Sequence, residues 1–290
     1  MSLNRRRFLS ICATFVAAPA LAQPHAWTGR AFGAEVSIQL HGPSAEVGPA
    51  LAEMQALITE IERLFSLYDP ASDLVQLNSG GALRMSARFA ELVTLADRAH
   101  RLTGGLFDPT VQPLWRAIAE GADVNTARAL IGWDRVSVVG RDVRLDSGQA
   151  LTFNGIAQGY ATDLVSQMLR DRGFHQTLVN IGEYRGIGGP WRLGLTDPTY
   201  GLLATRTIEN GAVATSSPLA TPIGPHGHIV HPFQAPIWST VSVEADTAAM
   251  ADALSTGLAL ADMDLVRKVR ATPGVRRITL VDQAGDLASL

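Results

Sequence analysis

Four stretches of this 290-residue chain carry side chains whose types and spacing suit chemistry. In ADALSTG (251–257), Asp252 and Thr256 stand four residues apart and share a helix face. A carboxylate and a hydroxyl suit a hard cation such as Mg²⁺, although the pair taken alone favours a buried hydrogen bond. In residues 224–232, three of the seven histidines fall within six positions. No cysteine or HExxH pattern accompanies them, so a loop histidine acting as a base is the alternative to a zinc site. NGIAQGYATD (154–163) leads small residues from an extended segment into a helix, where backbone N–H groups approach phosphate oxygens or, as readily, a neighbouring element packs closely. Around Asp108, residues 103–111 place glycines and prolines on both sides, a pattern that also describes a turn with a capping acid.

These stretches need a scaffold, and the periodicity supplies one. Ala34–His41 alternates, with Val36, Ile38 and Leu40 on one face, as a half-buried strand does. Leu51, Met54, Leu57, Ile58, Ile61, Leu64 and Phe65 follow helical spacing, with a stop expected near Tyr68 ahead of Asp69-Pro70. Phe89, Leu92, Val93, Ala96 and Ala99 carry a second helix that Gly104-Gly105 ends, and a short helical piece follows Pro109 and Pro113. Residues 136–145 form a hairpin, 151–153 begin an extended piece, and 156–172 form a helix. Strands are expected at 177–181, 191–195, 212–215, 237–243 and 278–281, with helices at 247–260 and 264–271. Several connections are too short for parallel crossovers, so the class is α+β with a largely antiparallel or mixed sheet in one domain.

Bulk properties narrow the function. The chain is 47% hydrophobic and 18% charged, enough for a sizeable core. Asn4, Arg5, Arg6 and Arg7 precede an apolar run over 11–21, and Ala20, Leu21 and Ala22 suit a signal peptidase. We expect residues 1–22 to be a twin-arginine signal, cleaved before Gln23, that sends the folded protein to the periplasm. Its removal takes the net charge from −3 to −6 and removes Cys12, the only cysteine. Bulk charge therefore argues against nucleic acid as a partner, the mature chain has no disulfide chemistry, and no later stretch is apolar enough to span a membrane.

Nine motifs in order, Phe32-Gly33, SLY (66–68), Leu77-Asn78, GLFDPTVQPLW (105–115), NGIAQGYATD, LVNIG (178–182), ATSS (214–217), HIVHP (228–232) and ADALSTG, resemble the ApbE family of FAD:protein FMN transferases. The resemblance covers nearly all of residues 23–290. It implies one ApbE-like domain that splits FAD and transfers FMN to a Thr or Ser hydroxyl, releasing AMP. By position it implies that Phe32, Tyr68, Leu106, Phe107, Asp108, Thr152, Gln158 and Thr215 bind FAD. It places Mg²⁺ on Gly155, Asp252 and Thr256, and assigns attack by the acceptor hydroxyl to His228. The chain departs from the family at Thr152, Gln158 and His231, where an aspartate, a lysine or acid, and an aspartate are usual, and Ser217-Pro218 replaces Ser-Gly. NGIAQGYATD also resembles the NosX branch, which implies an exported or membrane acceptor flavoprotein similar to NosR. An FAD-binding or scavenging protein and an FAD pyrophosphatase are the alternatives on the same fold.

Overall fold

A computed structural model describes residues 25–223 and 227–290; the segment expected as a signal, and His226, lie outside the described residues. In chain order it begins with the hairpin β1 (His25–Ala31) and β2 (Ala34–His41), then α1 (Ser44–Phe65), α2 (Asp73–Gly80), β3 (Ala82–Arg84) and α3 (Ala87–Leu102). The middle holds α4 (Gln112–Glu120), α5 (Val124–Ala129), β4 (Ser137–Val139), β5 (Asp142–Arg144) and α6 (Ala157–Asp171). Next come β6 (Gln176–Asn180), β7 (Tyr184–Ile187), β8 (Trp191–Asp197), β9 (Gly201–Ile208) and β10 (Gly211–Ser216). The chain then runs through β11 (Thr240–Ala245), α7 (Ala248–Leu258), α8 (Met263–Arg270), β12 (Val275–Val281) and β13 (Leu287–Ser289). The α+β class expected from the connections is the one observed.

Eight strands form one antiparallel sheet in the order β1-β2-β6-β7-β10-β11-β12-β13. Period-two alternation assigns its faces. Ile38, Val179, Ala214, Val241, Val243, Ile278 and Leu280 face the helices and join the main core with Phe65, Phe89, Phe153, Tyr160 and Leu254. On the other face, Leu178 and Tyr184 pack against Trp191, Leu193 and Ile208 of the β8–β9 hairpin. The small sheet β3-β5-β4 lies apart from the eight-stranded one. Among the described residues no helix is long and apolar enough to cross a membrane.

Three local expectations change for identifiable reasons. Helix α1 stops at Phe65 rather than near Tyr68, because the Ser66 hydroxyl oxygen accepts the N–H groups of both Tyr68 and Asp69 at 3.1 Å and turns the chain early. Residues 151–153 are extended but join no ladder. Instead the Asn78 side chain pairs with Leu151, accepting its N–H at 2.7 Å and donating to its carbonyl at 2.9 Å, as a strand neighbour would. The strand expected from 237 begins at Thr240, since the N–H groups of Ile237 and Trp238 both turn to the carbonyl of Ala259.

Candidate active site

Helix α7 is the element on which the motifs meet. It starts after Thr247, whose hydroxyl oxygen accepts the N–H of Met250, and it is buried along almost its whole length. The Asp163 carboxylate of α6 takes the N–H groups of Ala248 and Ala249 at 2.8 and 2.9 Å and pairs with Arg185. In return, Asp252 of α7 accepts the N–H of Gly159 at 3.1 Å, one of the first-turn donors that α6 cannot satisfy itself. Each helix is thus capped by a carboxylate of the other. Gly159 permits the crossing, because a Cβ there would lie 2.3 Å from the Ala248 carbonyl oxygen.

The expected metal residues come together around this crossing. Gly155 lies against Thr256, close enough that a Cβ on Gly155 would meet the Thr256 hydroxyl oxygen at 2.9 Å. The Thr256 hydroxyl lies 3.3 Å from that of Ser216, which in turn lies 2.8 Å from the Ser255 hydroxyl. Asp252 is 4% exposed, and burial pushes its carboxyl up to about 7, with the Gly159 N–H opposing and the Asp163 charge reinforcing the rise. Glu183 beside it is also held well above the usual carboxylate range, by burial first and then by the Asp252 charge, while the Thr215 N–H opposes at 3.2 Å. A buried carboxyl, Asp252, thus has the half-buried Glu183 beside it, and bringing a cation to them would relieve the cost.

Of the segments that should hold FAD, residues 103–107 lie beside α7. Gly257 abuts Thr103 and Phe107, a Cβ on it falling 2.8 Å from the Thr103 methyl. Phe107 is buried and donates its N–H to the Thr103 hydroxyl at 3.0 Å, while its carbonyl meets His100 Nδ1 at 2.9 Å. Leu106 is partly buried against the core. Asp108 accepts both the N–H and the hydroxyl of Thr110, and its carbonyl neighbour Pro109 takes the N–H of Thr152 at 2.8 Å, joining the 105–115 and 154–163 segments. Gln158 lies over Gly182, whose φ of +92° and missing Cβ leave room for the amide. Tyr68 is 74% exposed, and Phe32 sits at the β1–β2 turn with φ +51° and its N–H on Glu62 Oε1. Thr215 points its hydroxyl at Ser242, on the sheet face away from Ser216.

The histidine loop supplies two rings whose Nδ1 atoms have opposite roles. His228 Nδ1 lies 3.0 Å from the Pro218 carbonyl, which can only accept, so Nδ1 bears a proton. His231 Nδ1 faces the N–H of Phe233 at 3.3 Å and must accept. Burial holds His231 below the ordinary imidazole range against the opposing charge of Asp108 in the 105–115 loop. Sequence reasoning assigned no role to Ser216, Glu183 and Asp163. Ser216 was legible from alternation, since it shares the helix-facing side of β10 with Ala214, whereas Glu183 and Asp163 show their partners only in three dimensions.

Comparison with known proteins places the fold and the family. A curated FAD:protein FMN transferase of Vibrio cholerae serotype O1 is 28% identical over 249 residues, spanning 72% of this chain and 75% of the relative. The solved flavin transferase ApbE of Vibrio cholerae superposes with a TM-score of 0.81 at 22% identity, covering 92% of this chain and 96% of that one. The apo flavinyl transferase ApbE of Pseudomonas stutzeri gives 0.79 at 25% identity, covering 94% and 96%. The ApbE family model matches residues 32–277, which include every motif gathered around α7, and on that match the chain belongs to the ApbE family.

Proposed function

We propose that this chain is an exported FAD:protein FMN transferase. The observation that carries the reading is the junction of Asp252, Thr256 and Gly155 beside the Ser216–Pro218 segment, because it sets a cation-ready acidic site next to the carbonyl that orients His228. Asp252, Thr256 and the backbone at Gly155 form an all-oxygen set that suits Mg²⁺, and a site leaning on one carboxylate and a hydroxyl leaves positions for pyrophosphate oxygens. Among the described residues no group of three His, Cys, Asp or Glu is placed to hold a metal ion. Bound there, Mg²⁺ would neutralise charge on the pyrophosphate.

The residues of the chain then have definite tasks. The acceptor Ser or Thr oxygen forms a bond to the FMN phosphorus as the bond from that phosphorus to the bridging oxygen breaks. His228 Nε2 takes the hydroxyl proton, and AMP leaves with the bridging oxygen. The acceptor is an exported or membrane flavoprotein, NosR-like by the wording of the 154–163 segment, met in the periplasm after twin-arginine export. Incubating residues 23–290 with FAD, Mg²⁺ and a protein bearing a Ser/Thr-Gly-Ala-Thr-like segment should give a fluorescent covalent flavin band on a denaturing gel. Free FMN and AMP without a labelled band would instead identify a pyrophosphatase, and bound FAD without turnover a scavenging protein.

A further inference from the structure

We infer that Asp197 is a positioning residue for His228, acting through Thr240 and Ser217 on the carbonyl of Pro218. The inference rests on the catalytic reading of His228 given above. Asp197 is the last residue of β8, far from the family motifs in sequence, and is 1% exposed. Its Oδ1 accepts the N–H groups of Thr199 and Tyr200 at 2.7 and 3.0 Å, which is all that the β8–β9 turn requires. Its Oδ2 has different partners. It accepts the hydroxyls of Ser239 at 2.7 Å and Thr240 at 2.6 Å, at the start of β11.

The direction of the remaining bonds follows from counting protons. Thr240 has a single hydroxyl proton and gives it to the carboxylate, so its oxygen must accept from Ser217, 2.7 Å away. Ser217 is thereby held from below while its neighbour Ser216 is held on the other side by Ser255 and Thr256. The next residue, Pro218, has no N–H to anchor it, and its carbonyl receives both the N–H and the Nδ1–H of His228, each at 3.0 Å. Gly227 makes that approach possible, since a Cβ there would lie 2.4 Å from the same carbonyl oxygen. Within the Pro218–Ala220 turn Pro218 is buried and Leu219 is exposed. Where this carbonyl points, and hence the tautomer and aim of His228, is set by the chain of hydroxyls that ends on Asp197.

Thr240→Val tests this, because it removes the relay hydroxyl at nearly constant volume. We expect kcat for flavin transfer to fall on the order of tenfold or more, with KM for FAD unchanged, as for a misaimed rather than a missing group. Thr240→Ser, which keeps the hydroxyl, should restore the rate to within about twofold of wild type. A second readout does not depend on turnover. In ¹⁵N-histidine-labelled protein, the His228 resonance, assigned by its loss in His228→Ala, should report the Nδ1–H tautomer in wild type and in Thr240→Ser and a mixture in Thr240→Val. A folded Thr240→Val protein with wild-type kcat, or with an unchanged tautomer signal, would overturn the inference. Retained transfer in His228→Ala would instead overturn the catalytic reading, while the tautomer signal still judges whether the relay holds the ring.

Discussion

At the scale of single residues, Asp252 bears on two ideas that the sequence left open, a metal ligand and a buried hydrogen-bond partner. A buried Asp–Thr hydrogen bond would make Asp252 a structural group, but its carboxylate accepts from Gly159 and the Thr256 hydroxyl neighbours Ser216. Burial raises its carboxyl to about 7, so its favourable contribution to folding is full below the ordinary value and is lost as pH rises through 7. Asp252→Asn, a neutral isostere able to accept the same N–H, should therefore cost the metal-free protein no melting temperature at pH 8 while abolishing Mg²⁺-dependent transfer. Calorimetry and metal-titrated activity on one preparation check it, and a stability loss with unchanged Mg²⁺ dependence would remove the metal role. His228→Ala should lower transfer on the order of 10² or more with FAD binding kept, as expected for loss of a general base. Equilibrium FAD titration beside the gel assay reads both.

At the scale of elements, the glycines at the helix crossing divide stability from chemistry. Gly159→Ala drives a methyl into the Ala248 backbone, which cannot swing aside, and should cost about 1–3 kcal/mol. In a domain of this size that lowers the melting point by roughly 2–4 °C per kcal/mol. Gly155→Ala instead meets the Thr256 side chain, its hydroxyl at 2.9 Å, rather than backbone, so transfer should fall while the melting point changes less than in Gly159→Ala. A parallel fall in both properties for Gly155→Ala would show that it only packs. The strongly periodic elements, α1, α3, α6 and β2, were legible because one buried face repeats at the helix or strand period, whereas α7 and β12 show as apolar runs. Strands β1 and β9 were not, since their alternation is between half-exposed and exposed residues, with no apolar face to mark it. Helix α2 escaped notice as an eight-residue polar segment whose cap, Ser72, and buried Leu74 and Leu77 gain meaning only against the core. The site was legible as motifs, but the bonds from Ser239 and Thr240 to Asp197 cross 42 and 43 residues by side chains that leave no periodic trace.

At the scale of the whole molecule, acid should act on Asp197 in the opposite sense to Asp252. Burial alone would raise its carboxyl, but the bonds from Thr240, Ser239, Thr199 and Tyr200 outweigh that and hold it below the usual range. Its stabilising contribution is present above the unfolded value of about 3.9 and is lost as pH falls through the lower folded value. Between about pH 5 and pH 3 the wild type should therefore lose more melting temperature than Asp197→Asn, which has no such proton to gain. Parallel thermal melts decide it, and equal slopes would show that the carboxylate is not held in this way. Replacing Arg5 and Arg6 by lysine should leave the precursor in the cytoplasm, as cell fractionation would show; a periplasmic product would remove the export assignment.

The mutual capping of α6 and α7 also bears on how the molecule comes apart. The bond from Gly159 to Asp252 spans 93 residues, and those from Ala248 and Ala249 to Asp163 span 85 and 86, so each helix start is completed by the other. Opening either one uncaps both, which makes them a single cooperative unit. Their slowest amide hydrogens should exchange with deuterium together, at one common opening free energy, although β1 at the sheet edge exchanges earlier. A partly unfolded form that keeps the site's geometry then has no foothold, and the site is whole only when the fold is.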